Sequence, residues 1–257
     1  MFSFSTEVTS SQILSDNPLF QRTLKAYTLI AEKAYGDVLE IGCGEGYGLD
    51  YIYKNASSVT VIDKSKSVLD KIKKKYPKTI ILNQKVPPLN NLKDNSFDIV
   101  ISFQVIEHIK DANLFIEEIF RVLKPNGKAY ITTPNSNKTI ARNPWHHKEY
   151  NYTEINDLIK NNFVDYSISG IQGNKKTDVY YIKNKQSVER ILRLDVFKIQ
   201  YKIPALLLKI PYELANRLNR KKLLKKNTGL VNSIKLEDYS LTDYSQDTLD
   251  FFCILKK

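Results

Sequence analysis

An apolar stretch carrying a single acid, Val38-Leu39-Glu40-Ile41, runs into glycines at every second position, Gly42, Gly44, Gly46 and Gly48. No other stretch constrains the fold as much. The chain holds nine glycines, and four of them fall within these seven residues. Glycine weakens regular elements and serves where the backbone turns sharply or a ligand comes close. A buried strand that ends in such a loop and continues into a helix is the ligand-binding opening of a doubly wound α/β sheet. The bland alternative is a glycine-rich turn with no chemistry behind it.

Two cofactor classes compete for that opening. A dinucleotide site wants Gly-x-Gly-x-x-Gly, with a small third residue so that helix and strand pack closely. Counted from Gly42, that position is Tyr47, which is too large. The pattern present, Glu40-x-Gly42-x-Gly44-x-Gly46, resembles motif I of the class I S-adenosylmethionine-dependent methyltransferases. The resemblance extends from about residue 20 to about residue 165. It implies S-adenosyl-L-methionine as cofactor and a Rossmann-like, doubly wound, mostly parallel seven-stranded α/β sheet with an antiparallel last strand.

Periodicity supports the alternation. Short apolar runs at 37–41, 58–62, 79–82, 97–102, 127–133 and 163–169 read as strands, separated by helical patterns at 46–54, 65–76, 111–123 and 153–161. Such alternation argues for a parallel sheet covered on both faces. An amphipathic helix over 18–34 precedes them. Residues 233–239 and 248–256 read as a late strand pair. The length suits one domain, 1–257, with a cofactor-binding core at 18–184, a basic helical insertion or lid at 185–228, and closing strands at 229–257. Residues 1–16 read as a loose polar arm.

Asp63 ends the second strand about twenty residues beyond the glycines, where an acid accepts hydrogen bonds from ribose hydroxyls. The competing role is a helix cap before Lys64-Ser65-Lys66. The resemblance implies a cofactor site drawn from Arg22, Glu40, Gly42, Gly44, Gly46, Asp63, Lys64, Gln84, Val86, Phe103 and Gln104. Arg22 lies eighteen positions before Glu40, as an arginine does in the ubiquinone-biosynthesis O-methyltransferases that this region resembles. There it helps hold the cofactor carboxylate, a task suited to a bidentate guanidinium. One departure stands out. Where relatives carry an Asp for the adenine amino group, this chain has Lys85, which cannot accept a hydrogen bond. Gln84 or the backbone around Val86 must take that part.

Beyond the fifth strand, Asn143-Pro-Trp-His-His-Lys-Glu-Tyr150 holds the single tryptophan and two of the three histidines. It looks like the His-containing stretch of sugar- and quinone-modifying O-methyltransferases. Loops past strand ends are where an α/β sheet places substrate chemistry. Imidazole is matched to proton transfer at neutral pH, so His146 and then His147 are the candidate general bases. The alternative is that one or both only hydrogen-bond within the loop. With two cysteines, Cys43 and Cys253, the sequence offers no disulfide framework and no metal-ligand cluster, so no metal is expected.

The formal net charge is +11. From Lys183 to Lys226, thirteen Lys/Arg stand against Glu189, Asp195 and Glu213, a local excess of ten, and the rest of the chain is near neutral. Two or three helices broken at Pro204 and Pro211 are expected there, with Val188, Ile191, Leu192, Phe197, Ile199, Leu206, Leu207, Ile210, Leu214 and Leu218 as a face to bury. The segment can be a solvated cover over the site, a surface for a phosphate-bearing or lipid-linked acceptor or an anionic membrane face, or a nucleic-acid surface with few aromatics for stacking. No transmembrane or signal segment is evident, and the expected location is the cytoplasm, with peripheral membrane contact left open. The leading reading is a methyltransferase acting on the oxygen of a small molecule, sugar or lipid-linked intermediate. An RNA methyltransferase and a non-catalytic cofactor-binding scaffold are its rivals.

Overall fold

Val38 and Leu39 are neighbours in sequence and both fully buried, yet they join separate hydrophobic cores. The same split divides Val61 from Ile62, Ile101 from Val100 and Tyr130 from Ile131. Successive side chains of a strand point to opposite faces, so apolar runs of this kind demand a sheet covered on both sides. The computed structural model describes residues 9–193, 195 and 199–257. It has strands β1 (Gly36–Ile41), β2 (Ala56–Asp63), β3 (Ile80–Asn83), β4 (Phe97–Phe103), β5 (Leu123–Pro134), β6 (Asp165–Gly173), β7 (Tyr239–Asp243) and β8 (Asp250–Lys256), in the spatial order β3-β2-β1-β4-β5-β8-β6-β7.

Neighbours from β3 to β5 are parallel. Strand β8 runs antiparallel between β5 and β6, and β7 adds an antiparallel edge to β6. The doubly wound, mostly parallel class expected from sequence is therefore present. Eight strands replace the seven expected, and two of them are antiparallel. The segment 233–239 is not a strand: it closes a helix and makes one further turn, and pairing begins at Tyr239. Ile234, inside the expected strand, is instead buried just past that helix, next to the buried Val231 within it.

Helices α1 (Asn17–Ile30), α2 (Leu49–Ile52) and α3 (Lys66–Lys75) cover one face, and α4 (Ala112–Val122) and α5 (Tyr152–Lys160) cover the other. Local chemistry sets their ends. Asp111 accepts from the Leu114 amide at the start of α4, and Asn151 with Glu154 forms a reciprocal capping box on α5. Helix α2 is shorter than expected because the glycine loop takes up residues 42–48.

The basic segment folds as α6 (Lys175–Leu192), α7 (Ile199–Lys202) and α8 (Ala205–Lys226), followed by α9 (Thr228–Ser233). Helix α6 runs through position 185 without a break. Pro204 does end a helix boundary, but Pro211 lies inside α8. A proline there removes the bond to the Leu207 carbonyl; Leu207 is exposed, so water can satisfy that carbonyl. Arg217 and Arg220 of α8 each reach Asp16 at 2.9 Å, and Asp16 is fully buried, so the segment is fastened to the start of α1. The expected buried face does not exist as drawn: Ile191, Leu206, Leu207, Ile210, Leu214 and Leu218 are all exposed. Phe197, the Ile199 side chain and residues 1–8 of the arm lie outside the described residues.

Candidate active site

The carboxyl ends of β1, β2, β3 and β4 bring Glu40, Asp63, Gln84 and Phe103 to one edge of the sheet. Glu40 is 1% exposed, and its Oε1 accepts a 2.6 Å hydrogen bond from the Tyr27 hydroxyl. Burial pushes its carboxyl up to about 7; the Tyr27 bond opposes that rise and Asp63 adds to it. Gly42, Gly44 and Gly46 all have positive φ. The fourth glycine has a different purpose. A Cβ on Gly48 would stand 2.0 Å from the Tyr27 ring, so Gly48 makes room for the tyrosine that holds Glu40.

Asp63 closes the loop from the next strand, accepting from the Gly44 amide at 3.2 Å and the Ser65 amide at 2.8 Å. It thus braces the glycine loop and the turn into α3 together, and Lys64 lies between Asp63 and that turn. Phe103 packs edge-on against Tyr27 with ring centres 4.8 Å apart. Gln104 takes a left-handed backbone, φ 58°, at the end of β4 and donates to Thr132 Oγ1 at 3.2 Å. Beyond β3, Gln84 is half-buried, Lys85 exposed and Val86 half-buried.

Arg22 is paired with Asp250 at the neighbouring end of β5, next to β4. Its Nε lies 2.9 Å from Asp250 Oδ2, misaligned for a hydrogen bond, and its Nη1 donates to the Tyr181 hydroxyl at 3.3 Å. Burial, the largest single influence, works to lower the guanidinium pKa, but Asp250 together with Tyr181 and Tyr239 holds Arg22 above its usual value. Asp250 is level with Pro134 in the β5–β8 register, which sets this pair at the carboxyl end of β5.

A cavity of about 440 Å³ opens there, lined by Arg22, Asn135, the loop 138–146, and the inner sides of α6 and α8. Of the residues expected from sequence, Arg22 and His146 line it. His147 does not. It is exposed and faces a separate groove beside Ile109 and Tyr150, while its backbone amide donates to the Glu107 carbonyl at 2.7 Å.

His146 is held at both nitrogens: Nδ1 lies 2.5 Å from Glu149 Oε1, and Nε2 lies 2.8 Å from Asn143 Nδ2. An amide nitrogen can only donate, so Nε2 accepts and Nδ1 carries the proton toward the carboxylate. Burial works to raise the Glu149 carboxyl, but bonds from His146 and Thr139 outweigh it and hold it below the usual carboxylate range. Trp145 secures the loop to α8, donating its indole N–H to Glu213 at 2.6 Å beneath the Lys209 ammonium, 3.9 Å from the ring centre.

Glu107 and Glu149 were not singled out as site residues from the sequence. Glu107 is 1% exposed, accepts from Thr133 at 3.1 Å, and burial pushes its carboxyl up to about 7 despite the nearby His146. Its only sequence signal is its place just past a strand end; Glu149 announces itself only as a carboxylate three residues after a loop histidine. Glu107, His108 and His146 bring their polar atoms within 4.8 Å of one another. Zinc ligands with bonds near 2.1 Å stand roughly 3.4 Å apart. With both His146 nitrogens engaged, the trio is a hydrogen-bonded scaffold under the loop.

Among the described residues, buried polar atoms without a protein partner on this edge include Glu40 Oε2 and Gln84 Nε2, with Ser102 Oγ next to Phe103. Such atoms are costly unless something meets them. A carboxylate oxygen suits an ammonium group and an amide N–H₂ suits a ring nitrogen, so the donor set fits an amino-acid-bearing nucleoside.

A family profile described as a methyltransferase domain matches residues 39–131, from β1 into β5. The chain is similar to S-adenosylmethionine-dependent methyltransferases, whose cofactor is S-adenosylmethionine. Among named relatives, a Mycolicibacterium smegmatis protein called a probable S-adenosylmethionine-dependent methyltransferase is 36% identical over 160 residues, 60% of this chain and 62% of its own length. A ubiquinone biosynthesis O-methyltransferase of Pelagibacter ubique is 34% identical over 100 residues, 38% of this chain and 42% of its own. The chain thus spans about three fifths or less of the length of the curated relatives it matches. The YcgJ protein of Bacillus subtilis shares the fold, with a TM-score of 0.54 at 14% identity over 90% of this chain and 97% of that one.

Proposed function

We propose that this chain methylates a hydroxyl oxygen of a small or lipid-linked acceptor, with His146 as general base. Bound S-adenosylmethionine supplies a methyl group on a sulfonium, an electrophile that needs no further activation. Glu40, the amides of the glycine loop, Asp63 and Gln84 hold and orient the cofactor. Phe103 and Tyr27 keep water from its edge, and the cavity aligns the acceptor. His146 Nε2 takes the acceptor's hydroxyl proton as the oxygen attacks. Glu149 fixes the tautomer that makes this possible and stabilises the imidazolium that forms. The acceptor displaces the Asn143 amide from Nε2.

The observation that carries the reading is the Glu149–His146 pair inside the cavity at the carboxyl end of β5. The ubiquinone O-methyltransferase relatives support an oxygen acceptor. A lining that mixes Arg22, Lys138, Arg142 and Arg220 with aliphatic Leu19, Ile140, Val188 and Leu208 favours an acceptor with a polar head and an apolar body. The test is a methyl-transfer assay against a metabolite extract, read as a mass gain of one methyl. His146→Ala should lower turnover by about 10²–10⁴ with S-adenosylhomocysteine affinity intact. Unchanged turnover would remove the base.

A further inference from the structure

Helix α8 has two unlike faces. Leu208, Tyr212, Ala215 and Asn219 line the cavity. At about 100° per residue, Leu206, Leu207, Ile210, Leu214 and Leu218 fall within an arc of roughly 120° on the other side, and each is at least 54% exposed. Lone surface hydrophobics need no explanation, but five aliphatic side chains in one stripe do. Past Leu218 the same arc passes to Lys221 and Lys225, with Lys222 at its edge, and all three are exposed. Exposed Tyr201 and Lys202 stand just before the helix.

We propose that this stripe is a peripheral docking surface for an anionic lipid bilayer. The leucines and isoleucine enter the interface, and the lysines meet the headgroup phosphates. Charge complementarity selects this occupant. The segment carries an excess of ten positive charges, so a second copy docked by the same face would set that charge against itself. A nucleic acid would meet the lysines and leave the aliphatic stripe in water. Among the described residues no helix is long and apolar enough to cross a membrane, so α8 lies along the surface. Pro211, exposed at the border of the stripe, also lines the cavity. On the methyltransferase reading above, an acceptor held in the bilayer by an apolar chain would have to pass only this one helix; the docking itself does not depend on that reading.

The test is co-sedimentation of the full chain with vesicles of phosphatidylcholine alone or in equal mixture with phosphatidylglycerol. The protein should pellet with the anionic mixture only, and less so as salt is raised. Lys221→Gln, Lys222→Gln and Lys225→Gln should each lower the partition about fivefold. The triple change Leu206→Ser, Ile210→Ser, Leu214→Ser should abolish it while circular dichroism and S-adenosylhomocysteine binding stay as in the wild type. If the triple variant misfolds, Leu206→Ala with Ile210→Ala decides, with an expected loss of tenfold or more. Failure to pellet with anionic vesicles overturns the proposal, as does a stripe variant that pellets like the wild type. So does a wild-type dimer that the stripe changes convert to monomer. Polyuridylate binding that survives the stripe changes while vesicle binding is absent would assign the lysines to RNA instead. Vesicle binding without cofactor affinity would leave the docking standing and remove the methyltransferase reading.

Discussion

Glu40 offers the sharpest link between burial and cofactor binding. Its carboxyl is held near 7 in the free protein by burial, against the pull of a 2.6 Å bond from Tyr27 and with a further push from Asp63. Cys43 also faces it, with its thiol far above the ordinary value and neutral throughout. A cofactor ammonium beside Oε2 needs the carboxylate, so the proton must leave on binding. The observed dissociation constant then scales as one plus the ratio of protonated to ionised Glu40. That factor is about 11 at pH 6 and about 1.1 at pH 8, a tenfold gain in affinity, or roughly 1.4 kcal/mol. Titration calorimetry with S-adenosylhomocysteine at the two pH values measures it, and comparison with Glu40→Gln cancels the titration of the ligand's own amino group. The wild type should gain about tenfold more than Glu40→Gln between pH 6 and 8, and Glu107→Gln should keep the wild-type slope. An identical slope in the wild type and Glu40→Gln would refute the reasoning.

Two further perturbations follow from the same geometry. Glu107 keeps its proton up to about 7 when folded but releases it near 4.5 when unfolded, so its contribution is intact below about 4.5 and lost as pH rises to about 7. Those two and a half units correspond to about 3 kcal/mol, and thermal unfolding followed from pH 4.5 to 7.5 should show a smaller fall in Glu107→Gln than in the wild type. Gly48→Ala should cost about 1–3 kcal/mol by overpacking against Tyr27; it should also weaken S-adenosylhomocysteine, whereas equal affinity would detach Tyr27 and Glu40 from the site.

What the sequence made legible is what short-range patterns encode. The glycine loop, the acid at the end of β2 and the alternation from β1 to β5 are each read within about twenty residues. The far partners were not readable. Arg22 meets Asp250 across 228 positions, and no local spacing announces that pair. The edge strand β7 was placed too early because the apolar Ile234 and Leu236 follow a helix and sit in a turn before pairing begins at Tyr239. The apolar residues of the basic segment were expected to be buried because periodicity marks a face without saying what covers it. His146 and His147 were equivalent as residue types; only the fold of the loop sends one into the cavity and the other to solvent.

The central claim is that the edge formed by β1 to β4 takes the cofactor, with Asp63 gripping its ribose through the loop it braces. Calorimetry of S-adenosylhomocysteine against the wild type and Asp63→Ala tests this most directly. Binding at one site per chain, weakened at least tenfold by Asp63→Ala (about 1.4 kcal/mol), is the predicted result. No affinity in the wild type, or equal affinity in the variant, would contradict it.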